Sequence, residues 1–210
     1  MSAKGDLTRH HIIAKSMQLF SVKGYFNTSI ADIMEATGLT KGGLYGHFRN
    51  KEEIWYAVYE ECAQVWKKVV FNGVRDISNP LERIARVLEN NLKDYLGGGV
   101  FEGGCFLINS LVDLAGQSSV MSNQVLYGFK GFCALMHKWL EEADRQGLLR
   151  EGLDLQEIAT FLVTSVNGAA PLYAATKDPA VWRQTLGQLR YYLQTLRKEA
   201  CFFQAAAINP

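Results

Sequence analysis

The chain has 210 residues, 48% hydrophobic and 20% charged, with a formal net charge of +1; this is the make-up of a folded globular protein and excludes a disordered tail. The charge is unevenly spread: residues 1–51 carry seven Lys/Arg against three Asp/Glu, net +4, which leaves 15 basic and 18 acidic groups, net −3, in the remainder. A basic head on a mildly acidic body is the asymmetry of a chain that meets a polyanion at one end.

In chain order, Ile12, Ile13, Met17, Leu19 and Phe20 recur at helical spacing over residues 8–23, and Gly24 stands where a helix-ending glycine belongs. In "NTSIADIMEATG", Thr28 or Ser29 caps a second helix, Asp32 takes the capping-box place after Ser29, and Gly38 ends it. Thr40 caps a third short helix reaching about to His47. Asn50, with Glu53 three residues on, opens a longer helix that buries Ile54, Trp55, Val58, Cys62, Val65, Trp66 and Val69. The second and third helices, 28–36 and 40–47, are separated only by "TGL", the spacing of a helix-turn-helix.

Beyond Phe71, "NGVRDISNP" reads as a connection and Pro80 as the first residue of a helix burying Leu81, Ile84, Leu88, Leu92 and Tyr95. "GGGVFEGG" interrupts at 97–104. Apolar helical segments follow at 105–115, 120–146, 155–175 and 179–197. No region alternates with period two for long enough to require a sheet, so the fold class is all-α: a three-helix head followed by a larger helical body. The domain reading is 1–51 for the head, 52–200 for the body and 201–210 for a C-terminal tail.

The third helix holds the functional question. Glycine costs roughly 1 kcal/mol against alanine inside a helix, yet Gly42 and Gly43 sit beside its cap. A helix-turn-helix lays its second helix in the major groove, and small residues there let the helix enter deeply while Thr40, Lys41 and Tyr45 reach the duplex. His47, Arg49 and Lys51 cluster just after it, with Lys51 suited to a backbone phosphate and Thr28 to the phosphate on the other side. Leu39, Leu44 and Phe48 are assigned to the small core.

Residues 8–54 closely resemble the N-terminal domain of the TetR family of transcriptional repressors. The resemblance runs through the aromatic after Gly24, the Thr-Ser-Ile-x-x-Ile run, Gly38, Lys41-Gly42, the Leu-Tyr-x-His-Phe ending at Phe48, and Asn50-Lys51-Glu52. It implies an all-helical homodimer that binds a palindromic double-stranded DNA operator and is released when a small molecule occupies its C-terminal body. Carried over by position, Thr28, Thr40, Lys41, Gly42, Gly43, Tyr45, His47 and Lys51 form the DNA-binding set. One departure is Gly43, where such proteins often carry Thr or Ser; its missing hydroxyl shifts the expected balance toward phosphates and DNA shape.

For the body the resemblance supplies architecture only. The last two helices are the expected dimer surface, through Leu162, Val166, Trp182, Leu186, Leu189 and Leu193, with Val181, Tyr191 and Tyr192 on a second flank. Polar groups set among aromatic and aliphatic neighbours mark the effector pocket: Trp66, Tyr95, Cys105, Phe106, Asn109 and Asp113 from the first half, and Phe132, Met136, Trp139, Asn167 and Tyr173 from the second. Such a lining favours an aromatic or otherwise apolar effector. Cys105, next to a helix N-terminus, reads either as a buried packing residue or as a thiol of lowered pKa; Asn109 and Asp113, four apart, face either a ligand or solvent.

The rival readings are weaker. His10, His11, His47 and His137 form no metal-spaced set with acids, and no nucleophile elbow, phosphate loop or carboxylate pair stands out, so neither an enzyme nor a cofactor or metal site is expected. Four cysteines without a CxxC pair read as reduced thiols. The charged start has no apolar leader, and no stretch reads as apolar for the roughly 18 residues of a membrane span, so the expected location is the cytoplasm. The alternative function is a helical protein-interaction adaptor that has lost DNA binding; the hydroxyl, cation and aromatic groups around the third helix argue against it.

Overall fold

The computed structural model describes residues 3–101 and 103–198; the expected tail at 201–210 and Cys201 lie outside the described residues. Nine α-helices and one π-helical turn carry the described chain. Local caps set the head. Helix α1 spans Ala3–Lys23. Helix α2, Ile30–Thr37, begins at Ser29, whose hydroxyl accepts from the Asp32 N–H while the Asp32 carboxylate accepts from the Ser29 N–H, a complete capping box. It ends on Gly38 at φ 69°, a left-handed turn that glycine adopts without strain. Helix α3, Lys41–Tyr45, is capped by Thr40, and α4, Lys51–Val70, by Asn50. Both short helices begin later than the sequence spacing predicts, because their caps are the extended residues just outside them.

The body follows. Helix α5, Pro80–Glu89, has its proline in the first turn and runs into the π-helical segment Asn90–Leu96. Helices α6 (Phe106–Leu114), α7 (Ser119–Arg145), α8 (Leu155–Thr176) and α9 (Pro179–Thr195) complete it. Among the described residues there is no strand, only one isolated antiparallel bridge from Leu149 to Arg197 that ties the α7–α8 turn to the end of α9.

Two buried clusters divide the molecule, and they do not follow the head–body boundary. The first joins Ile12, Phe20, Ile33, Leu44, Phe48 and Trp55 of α1–α4 to Phe106, Leu114, Met121 and Val125 of α6 and α7. The second gathers α5, the π segment, α7, α8 and α9. The glycine-rich interruption at 97–104 is a place of close approach. A Cβ on Gly103 would lie 2.1 Å from the Ser21 carbonyl oxygen of α1, and one on Gly104, at φ +87°, 2.6 Å from the Ala174 Cβ of α8.

Helix α8 departs from the expectation that no stretch is apolar enough to cross a membrane: by length and composition it meets that test. In the fold its Leu162, Val163, Val166, Ala169 and Ala170 are buried against the body, while Phe161 and Leu172 are exposed on other sides.

Candidate nucleic-acid interface and ligand cavity

Helix α3 has two faces. Leu44 is fully buried and Phe48, just beyond the helix, nearly so, anchoring it on the head core. The opposite side exposes Thr40, Lys41, Gly42 and Tyr45, the last 40% accessible. The Thr40 hydroxyl accepts from the Gly43 N–H at 3.2 Å, which leaves its own proton free to be donated outward. A Cβ built on Gly42 meets nothing within 4 Å. No intramolecular contact therefore demands glycine at this position, unlike at Gly103. His47 is half-buried and the Arg49 side chain is almost wholly in solvent.

Two members of the expected set are engaged inside the head. Thr28 is 0% accessible and its hydroxyl donates to the Gly24 carbonyl at 2.7 Å, so its side chain fastens the α1–α2 turn instead of facing a phosphate. Ser29, not Thr28, is the cap. The Lys51 ammonium donates to the carbonyls of Tyr25 (2.8 Å) and Thr28 (2.9 Å) and lies 4.2 Å from the Tyr25 ring centre. Burial lowers its pKa, partly opposed by the Asp113 carboxylate. Two of its three protons are thus spent within the protein, and one remains for an outside acceptor.

Behind the head, a cavity of about 500 Å³ opens between α4, the π segment, α6, α7 and α8, a size suited to a small organic molecule. Its wall is aromatic: Trp66 meets Phe132 edge-on at 5.0 Å and Phe71 at 5.6 Å. Tyr95 and Cys105 lie deep in it, the tyrosine hydroxyl pointing at Sγ at 3.8 Å. Burial holds both groups in their neutral forms by raising their pKa values. For Cys105 the Ile108 N–H, the Tyr95 hydroxyl and the Leu107 N–H oppose that rise without overcoming it, so the thiol is not the activated one that its position in the sequence allowed. Asn167 faces the cavity from α8.

Two family models match the chain. One, described as bacterial regulatory proteins of the tetR family, matches residues 12–58; the other, the tetracyclin repressor-like C-terminal domain, matches residues 80–189, more than half of the chain. The chain belongs to the TetR family. It is accordingly a DNA-binding transcriptional regulator. Among its TetR-family relatives, the HTH-type transcriptional repressor DhaR of Mycobacterium sp. (strain GP1) is 28% identical over 77% of this chain and 79% of its own length. The HTH-type transcriptional repressor ComR of Escherichia coli is 26% identical over 76% of each. A TetR transcriptional regulator from Chloroflexus aurantiacus has the same fold, with a TM-score of 0.86, 24% identity, and coverage of 93% of this chain and 98% of that one.

Of the eleven residues expected at the effector site of this TetR-family chain, Trp66, Tyr95, Cys105, Phe132 and Asn167 line the cavity. The other six are used elsewhere. Phe106 is fully buried in the head-side cluster beside Trp55. The Asn109 carboxamide donates to the Gly103 carbonyl at 2.7 Å, closing the glycine-rich loop. Asp113 accepts from the Tyr25 N–H at 2.6 Å, joining α6 to the head. Met136 is fully buried, Trp139 packs edge-on against Phe71, and Tyr173 is half-buried against the body core. Among the described residues no group of three His, Cys, Asp or Glu forms a metal site.

The apolar stripe assigned to the dimer surface is also corrected. Leu162, Val166, Leu186, Leu189 and Leu193 are all buried within the single chain, Val166 against the cavity, and Trp182 is half-buried beside Gly97. The apolar groups left outside on α8 and α9 are Phe161, Leu172 (60% accessible) and Tyr191 (66%), around a groove in which Phe161 meets Tyr192 edge-on at 4.8 Å. Sequence reasoning missed Asn91, Leu107 and Leu135 as cavity residues. For Asn91 there was a signal, an Asn pair set between Leu88 and Leu92 in an otherwise apolar register.

Proposed function

We propose that this TetR-family chain is a ligand-responsive repressor that binds a palindromic operator as a homodimer and is released by a small, largely apolar effector. The observation that carries the reading is the exposed face of α3, where a hydroxyl, a cation and an aromatic surround a glycine with open space above it. That arrangement suits a helix seated closely in a major groove, with side chains at its edges reading bases and holding phosphates. The assignment of repressor follows the similarity to DhaR and ComR, both HTH-type transcriptional repressors.

The DNA contacts are assigned to Thr40, Lys41, Gly42, Gly43, Tyr45 and His47, with Lys51 contributing through its remaining proton. Residues 1–51 serve as the DNA-binding head and 52–200 as the ligand-binding and dimerisation body. The dimer forms across the exposed face of α8 and α9 around Phe161, Leu172 and Tyr191, and the aromatic cavity receives the effector. Helix α6 connects the two functions. Its first turn supplies Leu107 to the cavity wall, and its last turn holds the head through Asp113 and Tyr25. A ligand that moves α6 changes the hold on the head.

The test is fluorescence anisotropy of the full-length protein on DNA flanking its own gene, at several salt concentrations. Saturable binding that prefers an inverted repeat, with half-sites about 34–36 Å apart or a multiple, and that weakens with salt is the expected result. Failure to bind any such DNA at low salt would overturn it.

A further inference from the structure

The cavity carries a second, more specific message about what enters it. Helix α5 does not continue as an α-helix. The buried Asn90 carboxamide donates to the Val70 and Asn72 carbonyls at the end of α4, at 3.0 and 2.9 Å, and the next turn widens into the π-helical segment, which closes with the Gly97 N–H on the Leu92 carbonyl five residues back. Short π-helical insertions occur frequently at functional sites. Here the widened turn places Asn91, Tyr95 and Leu96 together on the cavity wall.

Asn91 is only 7% accessible and lines the cavity, yet among the described residues its carboxamide meets no hydrogen-bonding partner. Asn167, on α8, is half-buried on the same cavity lining and likewise has no hydrogen-bonding partner among the described residues. The Tyr95 hydroxyl has only a thiol 3.8 Å away, a weak acceptor. Buried polar groups are normally partnered, and leaving one unpaired is costly. The charged lining groups, Glu60 and Lys67, are both exposed. No ionised group therefore stands deep in the cavity to compensate a buried charge, which would be expensive to desolvate alone. Carboxamides, in contrast, both donate and accept.

We infer that Asn91, with Asn167, is the polar reader of the effector, and that the effector is an uncharged molecule with an aromatic or aliphatic frame and one neutral hydrogen-bonding head such as a ketone, amide or hydroxyl. The inference rests on the cavity being the effector site.

The experiment is isothermal titration calorimetry of the full chain with four compounds on one frame: 2-ethylnaphthalene, 2-acetylnaphthalene, 2-naphthoate and 2-naphthylmethylamine. The ketone is expected to bind about tenfold more tightly than the hydrocarbon, the worth of one neutral hydrogen bond, and the carboxylate and ammonium compounds most weakly. Asn91→Leu, or Asn91→Ala if leucine prevents folding, removes the ketone's advantage and leaves the hydrocarbon within about twofold, whereas the rim variant Lys67→Ala keeps the ranking. Equal or tighter binding of a charged compound, or a ketone advantage that survives in the Asn91 variant, overturns the inference while leaving the effector cavity standing. No binding of any of the four by protein that still binds DNA overturns the cavity as an effector site, and this inference with it.

Discussion

Replacing Gly42 separates the needs of the protein from those of its DNA. The residue lies in the first turn of α3, and an added Cβ touches nothing within 4 Å. Alanine there is unstrained and loses less backbone entropy on folding, a gain of about 0.5–1 kcal/mol. In a chain of this size each kcal/mol moves the melting temperature by about 2–4 °C, so Gly42→Ala is expected to raise Tm by about 1–4 °C. Toward DNA the sign reverses. A side chain pushed into a close-packed contact costs about 1–3 kcal/mol, so Gly42→Leu is expected to weaken operator binding about 5- to 150-fold, with alanine at the low end. Because no cation is removed, the slope of log affinity against log salt should not change. Calorimetric melting and anisotropy titrations on the same preparations measure both effects. A leucine variant with wild-type operator affinity would refute the idea that DNA approaches the α3 backbone, and a destabilised alanine variant would refute the open space.

Four further perturbations follow from the same geometry. Lys51→Met strips the Tyr25 and Thr28 carbonyls of their donor and should lower thermal stability by about 1 kcal/mol; if the remaining proton holds a phosphate, the salt slope also falls by about one, whereas an unchanged slope would reduce Lys51 to an internal brace. Asp113→Ala removes the acceptor of the Tyr25 N–H, and hydrogen exchange at that amide should accelerate; unchanged exchange would show that α6 does not hold the head. The Lys23 ammonium, and then the Ser29 hydroxyl and N–H, depress the Asp32 pKa below its ordinary 3.8. The folded chain therefore binds this proton less readily than the unfolded chain. The stabilisation is complete above pH 3.8 and is lost as pH falls toward the depressed value. The stability gap between wild type and Asp32→Asn should thus be widest near neutral pH and shrink on acidification, as pH-dependent melting would measure. Leu172→Arg puts a charge on the exposed α8–α9 face and should convert a dimer to monomer in sedimentation velocity; a persisting dimer would move the interface elsewhere.

The head was legible because its signals are local. Ser29 with Asp32, Gly38, Thr40, and Asn50 with Glu53 act within one turn, and a cap needs only its own neighbours. Thr28 was misplaced, and Lys51 is only partly free, because a hydroxyl or ammonium in a basic segment looks available until the fold brings a carbonyl to it, here from residues 4, 23 and 26 positions away. In the body, periodicity marked the helices and most of their buried residues, but it ran the α5 register on through Tyr95, where the structure ends α5 at Glu89 and turns π-helical. It could not say what each face is buried against, so Leu162, Leu186, Leu189 and Leu193 were credited to a partner subunit when their own chain covers them.

Sequence alone determined the family, the all-α class, the order of the helices and the exposed glycine in α3, since caps, breakers and a 3.6-residue apolar period are written in adjacent residues. Tertiary structure decided the rest: which of eleven aromatic and polar candidates face one cavity, why Asp113 grips the head, and why Asn91 turns inward. Those outcomes depend on contacts between distant segments, above all the pairing of Asn90 with the end of α4 that accompanies the change of helical pitch, and no local spacing encodes them.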